Sequence, residues 1–322
     1  MTRPSEESQE IEPFISHNRK ILIPGRKRLS SAIAVLLVTN LVFAILFFRG
    51  ANYTTQATSP ESETQISNPY GLQISTEKAA AIVENRPLEN LVPIILHFSS
   101  VLGPEWPIHI FTSAETQHLF TDSEPFQREV AVGRFTVRLL PEEEKLSSHA
   151  SVSAFFTKPW LWEQLAPAEH ILLFQADSIL CSKAPLKVEG FLEYDFVGAP
   201  VREGLGMGYN GGLSIRNRTM CLDIVNNFDW QVERHGDHSK GNVDYEDQWF
   251  CKKMREYPGA KLPEPDIAMK FSVETVWYEK PLGFHQPNVW QADKMEEIYH
   301  WCPEYRMCTT STFTDHNTED FQ

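Results

Sequence analysis

The chain is 322 residues long and acidic, with 43 Asp and Glu against 29 Lys and Arg and a formal net charge of −14. Seven of the basic but only four of the acidic residues lie at or before Arg49, so the remainder stands near −17. That surface excludes nucleic acid and anionic lipid as partner surfaces.

Residues 1–28 read as a cytoplasmic tail. Leu29 to Phe48 follows as a nearly uninterrupted apolar stretch whose only polar residues are Ser30, Ser31, Thr39 and Asn40. At ~1.5 Å per residue, about 20 residues span a hydrocarbon core of roughly 30 Å. Arg19, Lys20, Arg26, Lys27 and Arg28 precede it and Arg49 follows. The positive-inside rule then leaves the N-terminus cytosolic and sends the rest across the membrane. A cleaved signal peptide is the alternative, but its apolar core is shorter and a small-residue cleavage site follows closely. Residues 49–85 read as a flexible stem. Ala51 to Tyr70 is rich in Ser, Thr, Gln, Asn and Pro, a composition that cannot offset chain entropy. Asn52-Tyr53-Thr54 within it is a glycosylation acceptor triplet.

Residues 86–322 read as one lumenal domain, about 235 residues, enough for a single sizeable core. Leu91 to Phe98 is expected as a first buried strand, Pro107 to Phe111 as a second, and Glu115 to Phe120 as a short helix. Phe135 to Leu140 follows as a third strand, and Ser153 to Leu165 as a helix. Ile171 to Leu180 is an apolar run that reads as a buried central strand and breaks at Gln175-Ala176-Asp177-Ser178. Strands alternating with helical patterns imply an α/β domain with a mostly parallel sheet covered by flanking helices. A carboxylate at the C-terminal end of such a strand sits where open α/β sheets bind ligands.

Further motifs crowd after that strand. Phe191 to Pro200 is a short strand into a Gly-Ala-Pro turn, with Asp195 between aromatics. Gly204 to Gly212 is glycine-dense, permits close ligand approach to the main chain, and is expected to open a helix running through Val225. It is neither a P-loop nor a dinucleotide fingerprint. Asn217-Arg218-Thr219 is a second acceptor triplet. Asp244 to Cys251 begins another helix, in which Glu246 and Asp247 sit beside Trp249 and Phe250; a carboxylate near apolar surface can have a raised pKa and act as a base. His285 lies in a Gly/Pro-bounded loop. Trp249, Trp277, Trp290 and Trp301 offer faces for sugar stacking or for core packing. All five cysteines follow the apolar segment, with Cys302 and Cys308 a plausible local pair.

Taken in order, Gln-Ala-Asp-Ser, Glu-Tyr-Asp-Phe-Val-Gly-Ala-Pro, Gly-Tyr-Asn-Gly-Gly-Leu-Ser-Ile-Arg-Asn-Arg, Glu-Asp-Gln-Trp-Phe, Phe-Ser-Val-Glu-Thr, Lys-Pro-Leu-Gly-Phe-His and Trp-Cys-Pro-Glu-Tyr closely resemble an uncharacterised, largely fungal family of glycosyltransferase-like domains of unknown function. More distantly they look like metal-dependent A-fold glycosyltransferases, whose sheet is Rossmann-like. The resemblance runs from about Leu91 to Cys308. It implies transfer of a sugar from a nucleotide-sugar donor to a glycan or glycoprotein acceptor; the layout of tail, anchor and stem points to the Golgi or endoplasmic reticulum and a single-pass type II protein anchored through residues 29–48. It further implies that Asp177 and His285 bind Mn²⁺ or Mg²⁺. Asn210, Gly211 and Gly212 would line the donor sugar, with Gln175, Asp195 and Trp249 also at the substrate. Glu246 and Asp247 would form the acidic pair, with Asp247 as base. Gln175 departs from the pattern, since an Asp-X-Asp pair would place a carboxylate there; an amide coordinates without charge. A catalytically inactive carbohydrate-binding or assembly subunit is the alternative, and a lumenal hydrolase ranks last, because adjacent residues on one helix diverge by about 100°.

Overall fold

The computed structural model describes residues 73–235 and 243–309. The tail, the Leu29–Phe48 segment, the Asn52 triplet and most of the stem lie outside the described residues. Among the described residues no helix is long and apolar enough to cross a membrane.

The core is a six-stranded sheet in the order β3-β2-β1-β4-β7-β6, formed by β1 (Lys78–Val83), β2 (Ile108–Thr112), β3 (Phe135–Leu139), β4 (His170–Phe174), β6 (Phe196–Val197) and β7 (Leu213–Asn217). β3, β2, β1 and β4 run parallel, while β7 is antiparallel to both β4 and β6. A second sheet, β5-β9-β8, joins β5 (Ser178–Leu180), β8 (Ser272–Val273) and β9 (Gly283–His285). The α/β class with a mostly parallel sheet therefore holds.

Three segments differ in type from the expectation. Lys78–Val83, placed in the 49–85 stem, is β1, with Ala79 to Ile82 fully buried at the centre of the sheet. Alanine is depleted in strands, so KAAAIV carries little strand signal. The folded domain thus begins before Arg86. Leu91 to Phe98, expected as a strand, opens the helix α1 (Leu91–Leu102). Its buried residues Leu91, Ile94, Ile95, Phe98 and Ser99 recur at helical spacing, and a short apolar run does not distinguish the two states. Leu213 onward, expected as helix, is β7; the helix α5 (Arg218–Asn227) begins only after Asn217, whose side chain accepts from the Met220 N–H as a cap.

Ser153 to Leu165 is two helices, α3 (His149–Phe156) and α4 (Pro159–Gln164), divided where Pro159 forces the preceding residue out of helical geometry. Between β2 and β3 lie a helical turn at His118–Thr121 and α2 (Glu124–Ala131). The acidic stretch starts α6 (Glu246–Glu256), and α7 (Pro265–Phe271) leads into β8. Phe98 of α1 stacks on Phe174 at the end of β4, with centroids 3.9 Å apart, and so closes the core beneath the Gln175 turn.

Cys181 bonds Cys302, 121 residues away, rather than Cys302 pairing with Cys308; Cys308 is buried and free. Sequence proximity proposed the local pair, but tertiary placement brings the end of α8 (Met295–Trp301) against β5. Closing so long a loop constrains the unfolded chain by a few kcal/mol. Cys302→Ser should lower unfolding free energy by about 2–4 kcal/mol in urea titration, and peptide mapping under non-reducing conditions should recover Cys181 linked to Cys302.

Candidate functional site

Strand order fixes the site. The chain leaves β1 toward β2 and β3 on one side and reaches β4 on the other, so the crevice at the C-terminal ends of β1 and β4 is the topological switch point. Because β7 is antiparallel, with Leu213 opposite Phe174, its N-terminal end delivers Gly211 and Gly212 to the same edge. The Gln175 N–H donates to the Gly212 carbonyl at 2.9 Å. Ser178 opposite His285 in the second sheet brings that histidine to the Asp177 turn.

One cluster gathers at the turn after β4. His285 Nδ1 lies 2.9 Å from Glu274 Oε1, while Nε2 lies 3.0 Å from Gln175 Oε1 and 3.4 Å from Asp177 Oδ1. Gln286 Nε2 donates to Asp177 Oδ2 at 2.8 Å, from a residue held in left-handed backbone geometry (φ 46°, ψ 48°). Such geometry in a non-glycine residue costs of order 1–3 kcal/mol and recurs at functional sites. Asn90 Nδ2 donates to the Ala176 and Met307 carbonyls, pinning the turn from below. Burial opposes ionisation of both Asp177 and His285, yet each stabilises the other. The imidazolium and the Gln286 amide hold Asp177 down to about 2, and the Asp177 and Glu274 carboxylates lift His285 to about 10. Arg86, ion-paired with Glu84 beyond β1, is close enough to Asp177 to feel its charge.

A second cluster lies on the other side of Gly211. Arg216 is fully buried, with its guanidinium 4.7–5.9 Å from the ring centroids of Phe156, Trp162, Phe196 and Phe250. Its Nη2 donates to Glu246 Oε1 at 3.1 Å. Asp247 is half-buried and accepts from the Gly211 N–H at 2.8 Å and from the Gln248 N–H at 2.7 Å. Desolvation and then the Glu246 charge push its carboxyl up to about 7, against the pull of Arg216 and those two N–H groups. A carboxylate so poised can exchange a proton near neutrality.

Gly211 and Gly212 join the clusters. A Cβ on Gly212 would enter the envelope of the His285 ring at Nε2, and one on Gly211 would meet Arg216 Nη2 and Asp247. Asn210 Oδ1 accepts from the Gly212 N–H at 2.7 Å and sets the turn. Gln175, Asp177, Asn210, Gly211, Gly212, Glu246, Asp247 and His285 are thus neighbours.

Asp195 and Trp249 are not among them. Asp195 accepts from Asn217 Nδ2 and the Lys261 N–H, at the end of β7 roughly 13 Å of strand from Leu213. Trp249 is fully buried and donates to Glu233, so it packs core rather than sugar. Asn217 spends its amide on Asp195 and its oxygen on the helix cap, which withdraws it as a glycan acceptor. Sequence reasoning passed over Glu274, Gln286 and Arg216. A lone arginine in the buried run Leu-Ser-Ile-Arg was the available signal, since a buried cation requires a partner.

Donor spacing fits a divalent cation. Among the described residues no three His, Cys, Asp or Glu side chains form a metal cluster. With the Gln175 amide as third donor, however, the separations of 3.0 and 3.4 Å about Nε2 suit adjacent ligands of an octahedral ion with bonds of about 2.1 Å. Glu274 on Nδ1 supplies the carboxylate that orients a ligating histidine. The cation would replace the Nε2 proton.

Gly212→Ala should displace the His285 ring, cost about 1–3 kcal/mol by overpacking, and abolish any metal-dependent thermal shift. Gly190→Ala, whose Cβ meets nothing within 4 Å, should change neither.

No curated protein sequence matches the chain. Among solved structures it is similar to the apo-form glycosyltransferase GlyE of Streptococcus pneumoniae TIGR4, with 13% identity, a TM-score of 0.40, and coverage of 66% of this chain and 54% of that one. The chain thus spans little more than half of GlyE. It is similar at 12% identity and a TM-score of 0.41 to an active-site mutant of LgtC, covering 64% and 86%. A mannosyltransferase, PcManGT from Pyrobaculum calidifontis in complex with GDP-Man and Mn²⁺, is similar at 11% identity and a TM-score of 0.36, covering 73% and 66%. Residues 134–285, which contain Gln175, Asp177, Asp247 and His285, match the family described as "Protein of unknown function (DUF5672)", in keeping with the resemblance carried by the ordered motifs.

Proposed function

We propose that the chain is a glycosyltransferase moving a sugar from a nucleoside-diphosphate sugar to an acceptor hydroxyl. The observation that carries this reading is the meeting of the Gln175–Asp177–His285 donor set with the near-neutral Asp247 across Gly211-Gly212. In the reaction the anomeric carbon–oxygen bond to the diphosphate breaks, and a bond to the acceptor oxygen forms. The acceptor proton passes to Asp247, an inverting route in which the base must start ionised. Asp177, His285 and the Gln175 amide would hold Mn²⁺ or Mg²⁺, which when bound would offset charge on the leaving diphosphate. Glu274 orients His285, and Arg86 adds positive charge beside the Asp177 turn. The bare backbone at Gly211-Gly212 lets the donor sugar approach the main chain.

We place this domain in the lumen of the secretory pathway, as a type II protein anchored by residues 29–48. The Cys181–Cys302 disulfide supports an oxidising compartment. A second reading, a sugar-binding subunit without catalysis, draws on the uncharged Gln175.

Thermal-shift screening of the full chain against nucleotide-sugars should give a Mn²⁺-dependent rise with one nucleotide class, lost in Asp177→Ala and in His285→Ala. A folded protein without any shift would favour the second reading. With donor and acceptor in hand, kcat/KM should rise with pH to a plateau above about pH 7, because only ionised Asp247 accepts the proton. Asp247→Asn should lower kcat by about 10²–10⁴-fold and remove that limb.

A further inference from the structure

A cleft of about 650 Å³ opens between the glycine loop and the chain leading into α7. Its volume falls within the ~300–1,000 Å³ of small-ligand sites. Two of its lining residues lie within two positions of site residues in the chain, and a third packs against the neighbour of Asp247. Tyr209 precedes Asn210. Val276 lies two residues beyond Glu274, and Thr275 between them hydrogen-bonds the Pro200 carbonyl and the Arg202 N–H. Gly206 packs against the Gln248 amide, next to Asp247. Gln248 is 5% exposed, and its Oε1 has no hydrogen-bond partner among the described residues.

The glycine loop is shaped to leave this space open. Gly204, Gly206 and Gly208 all have positive φ, and the last two press the loop onto α6 at Gln248 and Cys251. One face of the loop is thereby spent on the helix, and the other lines the cleft.

Its chemistry is balanced. Arg202 and Arg255 contribute donors, Glu203 and Glu264 contribute acceptors, and Met207 and Leu262 provide apolar surface. Both arginines are exposed, and among the described residues neither is ion-paired. An anionic ligand would face the two glutamates and a cationic one the two arginines. A neutral sugar, with hydroxyls that donate and accept and C–H faces that pack on apolar side chains, meets no such penalty.

We infer that this cleft binds the acceptor, and that the acceptor is a neutral oligosaccharide. The acceptor role rests on the transferase reading above; the sugar site does not. Saturation-transfer NMR would be run on the full chain with Mn²⁺ and a nucleoside diphosphate present. Neutral probes would be lactose, maltose, mannobiose and chitobiose, set against 3′-sialyllactose and mannose 6-phosphate. At least one neutral disaccharide should bind, and at least tenfold more weakly in Met207→Trp, which fills the cleft, and in Arg255→Ala on the exposed end of α6. The Mn²⁺-dependent donor shift should persist in both variants. Binding of anionic sugars alone, of no sugar, or of neutral sugar equally well in both variants would overturn the inference. Cleft-dependent sugar binding without any donor shift would leave the sugar site standing and sink the transferase reading.

Discussion

Everything at the sheet edge depends on two residues without side chains. Gly211 and Gly212 run between the His285 ring on one side and Arg216 with Asp247 on the other, with no room for a Cβ at either position. The backbone itself makes the contacts: Gly211 donates to Asp247, and Gly212 accepts from Gln175. A segment of that width allows the two charged clusters to face one crevice.

Each cluster sets two carboxylates against one cation, and the cations differ in kind. Arg216 is always charged and caged by aromatic rings, so it is a fixed countercharge for Glu246. Burial and then the charge of Glu246 disfavour ionisation of Asp247, whose carboxyl rises to about 7. His285 is an exchangeable countercharge, since its Nε2 proton can give way to a metal ion while Glu274 holds Nδ1. Asp177 beside it drops to about 2 and stays ionised. Environments that drive two carboxylates apart in this way assign one to charge binding and the other to proton transfer.

The strands β2, β3 and β4 were legible because their apolar, β-rich runs end in turn residues, and α6 because acidic residues favour a helix N-terminus. β1 was hidden by its alanines, and α1 by an apolar run too short to show its period. Of the site, Asp177, Gly212 and His285 were readable as residue types at loop and strand ends, and Asp247 as an acid in the first turn of a helix. Asp195 and Trp249 looked similar in sequence but spend their polar groups on Asn217, Lys261 and Glu233. Glu274 and Arg216 act through partners 11 and 30 residues away, and Cys181 bonds Cys302 across 121 residues. Local pattern carries no information about such pairings until the sheets are assembled.

The central claim is that both clusters serve one ligand. It is tested most directly by crystals grown with Mn²⁺ and a nucleoside diphosphate, read by anomalous scattering at the manganese edge. The account predicts manganese bonded to Asp177 Oδ1 and His285 Nε2, with the diphosphate against it and the free side of the crevice ending at Gly212 and Asp247. Manganese or diphosphate bound elsewhere, with the Asp177–His285 contact intact, would contradict it.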